Sequence, residues 1–137
     1  MADQETRTKN EMIAAAGSGI TAAEWLIMEV LWDKGPLKMA DIVSALSKKT
    51  KWSRTTVLTL ARRLEDKGAI GTERSSKAFI YAPLVSEKDA QRQVLEQFID
   101  QYFRGQPYLL ARRIVDGKIL NKDEQRKLRD KLSRKKK

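Results

Sequence analysis

The side chains best placed to do chemistry lie between Lys48 and Arg63. This run holds six basic residues (Lys48, Lys49, Lys51, Arg54, Arg62 and Arg63), no acidic one, and the hydroxyls of Ser53, Thr55, Thr56 and Thr59. Guanidinium groups pair with phosphate or with the acceptor edge of guanine, hydroxyls and methyls meet other base edges, and the absence of carboxylates avoids repelling a polyanion. The chemistry on offer is nucleic-acid recognition. A merely solvated basic face is the alternative reading of such a run. Covalent and metal chemistry is poorly provided for. With no Cys and no His in 137 residues, zinc sites of the Cys or His type, Cys or Ser-His nucleophiles, c-type haem attachment and disulfides all lack their obligatory atoms. Carboxylate-only or Lys-based chemistry stays formally open; no cofactor and no metal is expected.

Those side chains need a scaffold, and the local signals supply one. Thr21-Ala22-Ala23-Glu24 is a capping box, with Ile20 and Trp25 as its hydrophobic staple. The helix it starts carries Trp25, Met28, Leu31 and Trp32 at spacings of three and four and stops at Gly35-Pro36. A second helix, from about Ala40 to Lys48, buries Ile42, Val43 and Leu46. After the polar break through Trp52, Ser53 is the expected N-cap of a third helix from Arg54 to Lys67, with Val57, Leu60, Ala61 and Leu64 inward and Gly68 at the C-terminal position. The exposed face of that helix presents Arg54, Thr55, Thr59, Arg62 and Arg63, with Thr56 beside them. Trp25 and Trp32 read as core; Trp52 either seals the turn or leans on a sugar-phosphate backbone. Beyond Gly68 the period drops to two in Ala69 to Arg74 and Ala78 to Ala82, a hairpin around Ser75-Ser76-Lys77 closed by Pro83.

Three helices followed by a hairpin is the element order of a winged helix-turn-helix, whose third helix enters the major groove while the hairpin lies on the backbone. Arg74 and Lys77 are then the wing contacts to phosphate. The fold expected is mainly α, a winged-helix domain over residues 20–86 followed by a helical domain over 87–133. Residues 1–19, polar and ending Gly17-Ser18-Gly19, read as a flexible arm, and 134–137 as a basic tail.

The C-terminal part opens at Ser86 with Asp89 three residues on, and its first helix, roughly 87–104, carries Val94, Leu95, Phe98, Ile99, Tyr102 and Phe103. A short helix from Pro107 follows with Leu109, Leu110 and Ile114, then a last one capped by Asn121 and Glu124. About fifty residues cannot bury so wide an apolar face alone. Either it packs on the winged domain of its own chain or it pairs with a second copy. A two-fold dimer offers two recognition helices to an inverted repeat about 34 Å apart, or a multiple of that, centre to centre.

Charge agrees with a polyanionic partner. The formal net charge is +10, divided as −1 over residues 1–20, +4 over 21–86 and +7 over 87–137. Nucleic acid comes ahead of a lipid surface. No apolar run approaches the roughly 20 residues that span a bilayer, so the chain reads as cytoplasmic.

From Ile20 to Leu132 the sequence resembles the bacterial penicillinase and methicillin-resistance repressors and their copper-responsive relatives. The resemblance is carried by Thr21-Ala22-Ala23-Glu24-Trp25 with Leu31-Trp32; by Trp52-Ser53-Arg54-Thr55-Thr56-Val57, Thr59-Leu60, Arg63-Leu64 and Lys67-Gly68; and by Tyr81 to Glu87. It implies a repressor that dimerises through its C-terminal helices, binds a palindromic operator and controls β-lactam resistance genes. It puts Ser53, Thr55, Thr56, Thr59 and Arg63 on the face toward DNA. The copper-responsive branch uses a Cys-rich metal tail, which this chain lacks. The β-lactam branch is inactivated by a regulatory protease at an Asn-Phe bond, and alignment through Val115 to Leu132 puts Arg113-Ile114 there. The competing class is a non-specific, nucleoid-type nucleic-acid-binding protein, which explains the charge but not the Thr-rich face; a winged-helix module for protein contacts is a third.

Overall fold

The computed structural model describes residues 19–74 and 77–134, which fall into two compact units, one ending at Leu95 and the other beginning at Glu96. The arm through residue 18, the wing-tip residues 75 and 76, and the tail 135–137 lie outside the described residues.

The first unit is built as α1 (Ala22–Lys34), β1 (Leu37–Lys38), α2 (Met39–Leu46), α3 (Arg54–Asp66), β2 (Ile70–Arg74) and β3 (Phe79–Pro83), followed by the start of α4 (Glu87–Tyr102). Helix α1 begins with the capping box: Glu24 N–H donates to Thr21 Oγ1 (3.2 Å) and Thr21 N–H to Glu24 Oε1 (3.0 Å). It ends at Gly35, whose φ of +81° needs no Cβ.

The inward face of α1 is rotated from the expected stripe. Ile27, Met28 and Leu31 are fully buried, whereas Trp25 and Trp32 sit half-buried at its edge, edge-to-face at 5.2 Å. Each Trp keeps a polar tip that a dry core would orphan; Trp32 Nε1–H donates to the Val85 carbonyl at 2.8 Å, pinning the segment after β3 to α1. Helices α2 and α3 complete the core with Ile42, Leu46, Val57, Leu60, Ala61 and Leu64.

The expected hairpin is present, but as two strands of a three-stranded antiparallel sheet ordered β1-β3-β2. Thr72 pairs with Tyr81 and Arg74 with Phe79; on the other side of β3, Leu37 pairs with Tyr81 and Lys38 with Ile80. The two-residue β1 satisfies one edge of β3 and takes the chain directly into α2. Helix α3 turns into β2 through a Schellman motif: Ala69 N–H donates to Leu64 O and Gly68 N–H to Glu65 O, both at 2.9 Å, with Gly68 at φ +79°.

The second unit holds the end of α4, then α5 (Pro107–Asp116) and α6 (Lys122–Arg134). Helix α5 takes Pro107 in its first turn, and α6 is capped by Asn121, whose Oδ1 accepts from Glu124 N–H (2.8 Å) while Glu124 returns the bond. Arg134 closes α6.

Candidate nucleic-acid interface

The basic run folds into the loop after α2 and the outward face of α3. In the loop, Thr50 Oγ1–H donates to Leu46 O (3.1 Å) and accepts from Trp52 N–H (3.4 Å), and Trp52 is half-buried against the core. Ser53 is the N-cap, its Oγ accepting from Thr56 N–H at 3.2 Å. With four apolar residues turned inward, Ser53, Arg54, Thr55, Thr56, Thr59, Arg62 and Arg63 are all exposed.

At 3.6 residues per turn this face has three lanes. Arg54 and Arg62 run along the edge nearest the wing, Thr55 and Thr59 along the middle, Thr56 and Arg63 along the far edge. The hydroxyls are not equally free. Thr59 Oγ1–H is donated to Thr55 O (2.9 Å), Thr56 Oγ1 lies 3.2 Å from Ser53 Oγ, and among the described residues Thr55 Oγ1 has no hydrogen-bond partner. No acidic residue occupies the first turn of α3, so its N-terminal dipole is left for an anion.

Beside the Arg54–Arg62 lane lies an open cleft of about 560 Å³ between α3, β1 and the wing. Its floor is Met39, Leu58, Phe79 and Tyr81; its lining carries four cations, Lys38, Arg54, Arg62 and Lys77, against one carboxylate, Glu65. Among the described residues none of these four cations is ion-paired. Burial and the nearby Glu65 carboxylate raise the Tyr81 phenol above its ordinary 10.0, against the opposing pull of Arg62 and Arg54, so Tyr81 stays a neutral donor at the base of the cleft. Arg74 stacks over Phe79, its guanidinium carbon 5.7 Å from a ring that is 51% exposed. An apolar floor with a largely cationic lining matches a sugar-phosphate chain, which alternates the same two characters.

Sequence reasoning missed Lys38 and Phe79. Lys38 joins the site only because β1 pairs with β3, a contact with no local signature.

In the C-terminal part, Val94, Leu95, Phe98 and Tyr102 are exposed, Ile99 is buried, and Phe103, Leu109, Leu110 and Ile114 are half-buried. Phe98 contacts Tyr102 and Phe103 at centroid distances of 5.2 and 5.4 Å. The apolar surface goes beyond the expected residues to Tyr108, Val115, Ile119, Leu128 and Leu132, the last two one turn apart on α6. Arg113 and Ile114 lie inside α5 rather than in a loop. Among the described residues no helix is long and apolar enough to cross a membrane, and no cluster of three carboxylates could hold a metal.

Three helices, a short edge strand and a hairpin with the third helix presenting a basic face define a winged helix-turn-helix. The chain belongs to the penicillinase repressor family, whose model matches residues 20–134. It is 32% identical over 116 residues to the methicillin resistance regulatory protein MecI of Staphylococcus aureus, covering 85% of this chain and 94% of that protein. It is 29% identical over 86 residues to the penicillinase repressor of Bacillus licheniformis, 63% of this chain and 67% of that one. The transcriptional regulator Tm0710 of Thermotoga maritima shares the fold, with a TM-score of 0.52 at 19% identity over 96% of this chain and 89% of that one.

Proposed function

We propose that this chain is a sequence-specific DNA-binding transcriptional repressor that binds a palindromic operator as a homodimer in the cytoplasm, and that it has no enzymatic activity. The observation that carries this reading is the family match over residues 20–134 laid on a helix face that holds no acidic residue from Arg54 to Arg63 and, among the described residues, no ion pair there. Residues 20–86 are the DNA-binding domain and 87–133 the dimerisation domain, flanked by the arm 1–19 and the tail 134–137. Thr55 and Arg63 read bases, Ser53, Thr56 and Thr59 shape the first turns of α3, and Arg54, Arg62, Arg74 and Lys77 hold phosphates. Val94, Leu95, Phe98, Tyr102, Phe103, Leu109 and Leu110 form the dimer face, while Ile99, expected there too, is buried within its own chain. The relatives' names support β-lactam resistance genes as the regulated targets.

Release of the operator by cleavage at Arg113-Ile114 requires a regulatory protease of different preference from one that cuts an Asn-Phe bond. Because that bond is helical, the last turn of α5 must open first, since a protease reads extended chain. Separating the dimer face from the DNA-binding half then removes bivalency.

The test is fluorescence anisotropy of the purified protein against the palindrome upstream of its own gene and a scrambled duplex across a salt series. A preference of several orders of magnitude with two chains bound is expected; equal affinity for both duplexes refutes the reading.

A further inference from the structure

The strongest unexplained feature of the first unit is an ion pair at the root of both DNA-facing elements. Glu24, in the first turn of α1, is 1% exposed. Lys67, the C-cap of α3 and 43 residues away, donates from Nζ to Glu24 Oε1 at 2.5 Å and to the Gly19 carbonyl at 2.7 Å. Among the described residues Glu24 Oε2 is buried with no hydrogen-bond partner. Burial works against ionisation of this carboxyl, but the Lys67 ammonium and the Thr21 N–H outweigh it and hold it below its ordinary value.

Stability is a poor reason to keep such a pair. A buried carboxylate with an unsatisfied oxygen pays a desolvation penalty that an apolar pair of similar volume avoids. Its position is informative instead. Lys67 is followed at once by the Schellman turn through Gly68 and Ala69, and Ile70 opens the wing strand. Recognition helix and wing therefore leave one junction, and beside the apolar packing of α3 on α1 the Glu24–Lys67 pair ties that junction to the start of α1.

We propose that Glu24 and Lys67 are positioning residues for DNA recognition: their clasp sets the angle at which α3 and the wing meet the operator, without touching DNA. The proposal rests on the DNA-binding reading above. Charge attraction at one defined point gives a single register, where apolar packing alone tolerates sliding.

The experiment compares full-length wild type with Glu24→Gln, Lys67→Met, Lys67→Arg and the double variant Glu24→Gln/Lys67→Met. Anisotropy on operator and scrambled duplexes is read alongside thermal melting and amide exchange of Gly68 and Ala69. In Glu24→Gln and in the double variant the operator-to-scrambled ratio falls about tenfold, the cost of one misplaced base contact. Lys67→Arg keeps the ratio, and the double variant melts above Lys67→Met because it leaves no unpaired buried carboxylate. Gly68 and Ala69 exchange faster in Glu24→Gln while Ile27 in α1 does not.

Two results overturn the proposal. One is an unchanged ratio with unchanged exchange at Gly68 and Ala69. The other is a salt slope reduced in Lys67→Met alone, which makes Lys67 a phosphate contact. Failure of the DNA-binding reading is seen separately, as a wild type that does not distinguish the two duplexes; the exchange measurement then decides the clasp by itself.

Discussion

Replacing Lys38 by Ala tests whether the cleft between α3 and the wing seats a DNA backbone. Lys38 lies on β1, fully outside the Lys48–Arg63 run, and shares the cleft rim with Arg54, Arg62 and Lys77. It is exposed and, among the described residues, makes no ion pair, so removing its ammonium orphans none of them and the melting temperature should not move. If the ammonium neutralises one phosphate, its loss removes about 0.9 from the slope of log affinity against log salt. A dimer therefore loses about 1.8. At about 0.15 M salt that slope corresponds to about 1 kcal/mol per chain, a fivefold loss for each chain and about thirtyfold for a dimer. Operator and scrambled duplexes should weaken together, because a phosphate contact carries no sequence information. Anisotropy titrations at four or so salt concentrations measure both quantities. An unchanged slope refutes the seat, and a loss confined to the operator makes Lys38 a base contact instead.

Further outcomes follow from the same geometry. Ser53→Ala removes the acceptor of Thr56 N–H and should cost about 1 kcal/mol in urea unfolding, with weaker operator binding from a frayed first turn of α3. Phe98→Glu charges the aromatic cluster with Tyr102 and Phe103 and should yield monomers by sedimentation velocity, with operator affinity lost and the melting of the winged domain unchanged. Tyr81 titrates above its ordinary 10.0 in the folded chain, so it contributes stability that is complete below 10 and lost as pH rises through the folded value; Tyr81→Phe should flatten the fall of the urea midpoint in that alkaline window.

What was legible in the sequence follows from how far each signal reaches along the chain. Caps are local: Thr21 with Glu24, Ser53 with Thr56, and Asn121 with Glu124 all lie three residues apart, and all three are formed. The inward residues of α3 were legible because Val57, Leu60, Ala61 and Leu64 share one face; only Leu58 falls outside it, in the Arg54–Arg62 lane. In α1 they do not, since Ala22 to Trp32 is apolar almost all round apart from Glu24 and Glu29, and the inward direction depends on what packs there. The stripe through the two Trp residues is therefore displaced toward Ile27, and Glu24, legible only as a cap, turns out to be buried.

The remaining features depend on contacts between distant residues. Strand β1 is two residues long and has no periodicity to detect; it exists because β3 needs a partner on that edge. Lys38 enters the cleft only as a consequence of that pairing, and Lys67 meets Glu24 only because α3 closes over the start of α1. The basic, hydroxyl-rich face of α3 was thus visible as a local run, whereas Lys38 and Phe79 beside it were not. The residues that orient the run were not visible either, and they sit where strand β1 and helices α1 and α3 meet the wing, so changing them should alter how the face is aimed while leaving its charge intact.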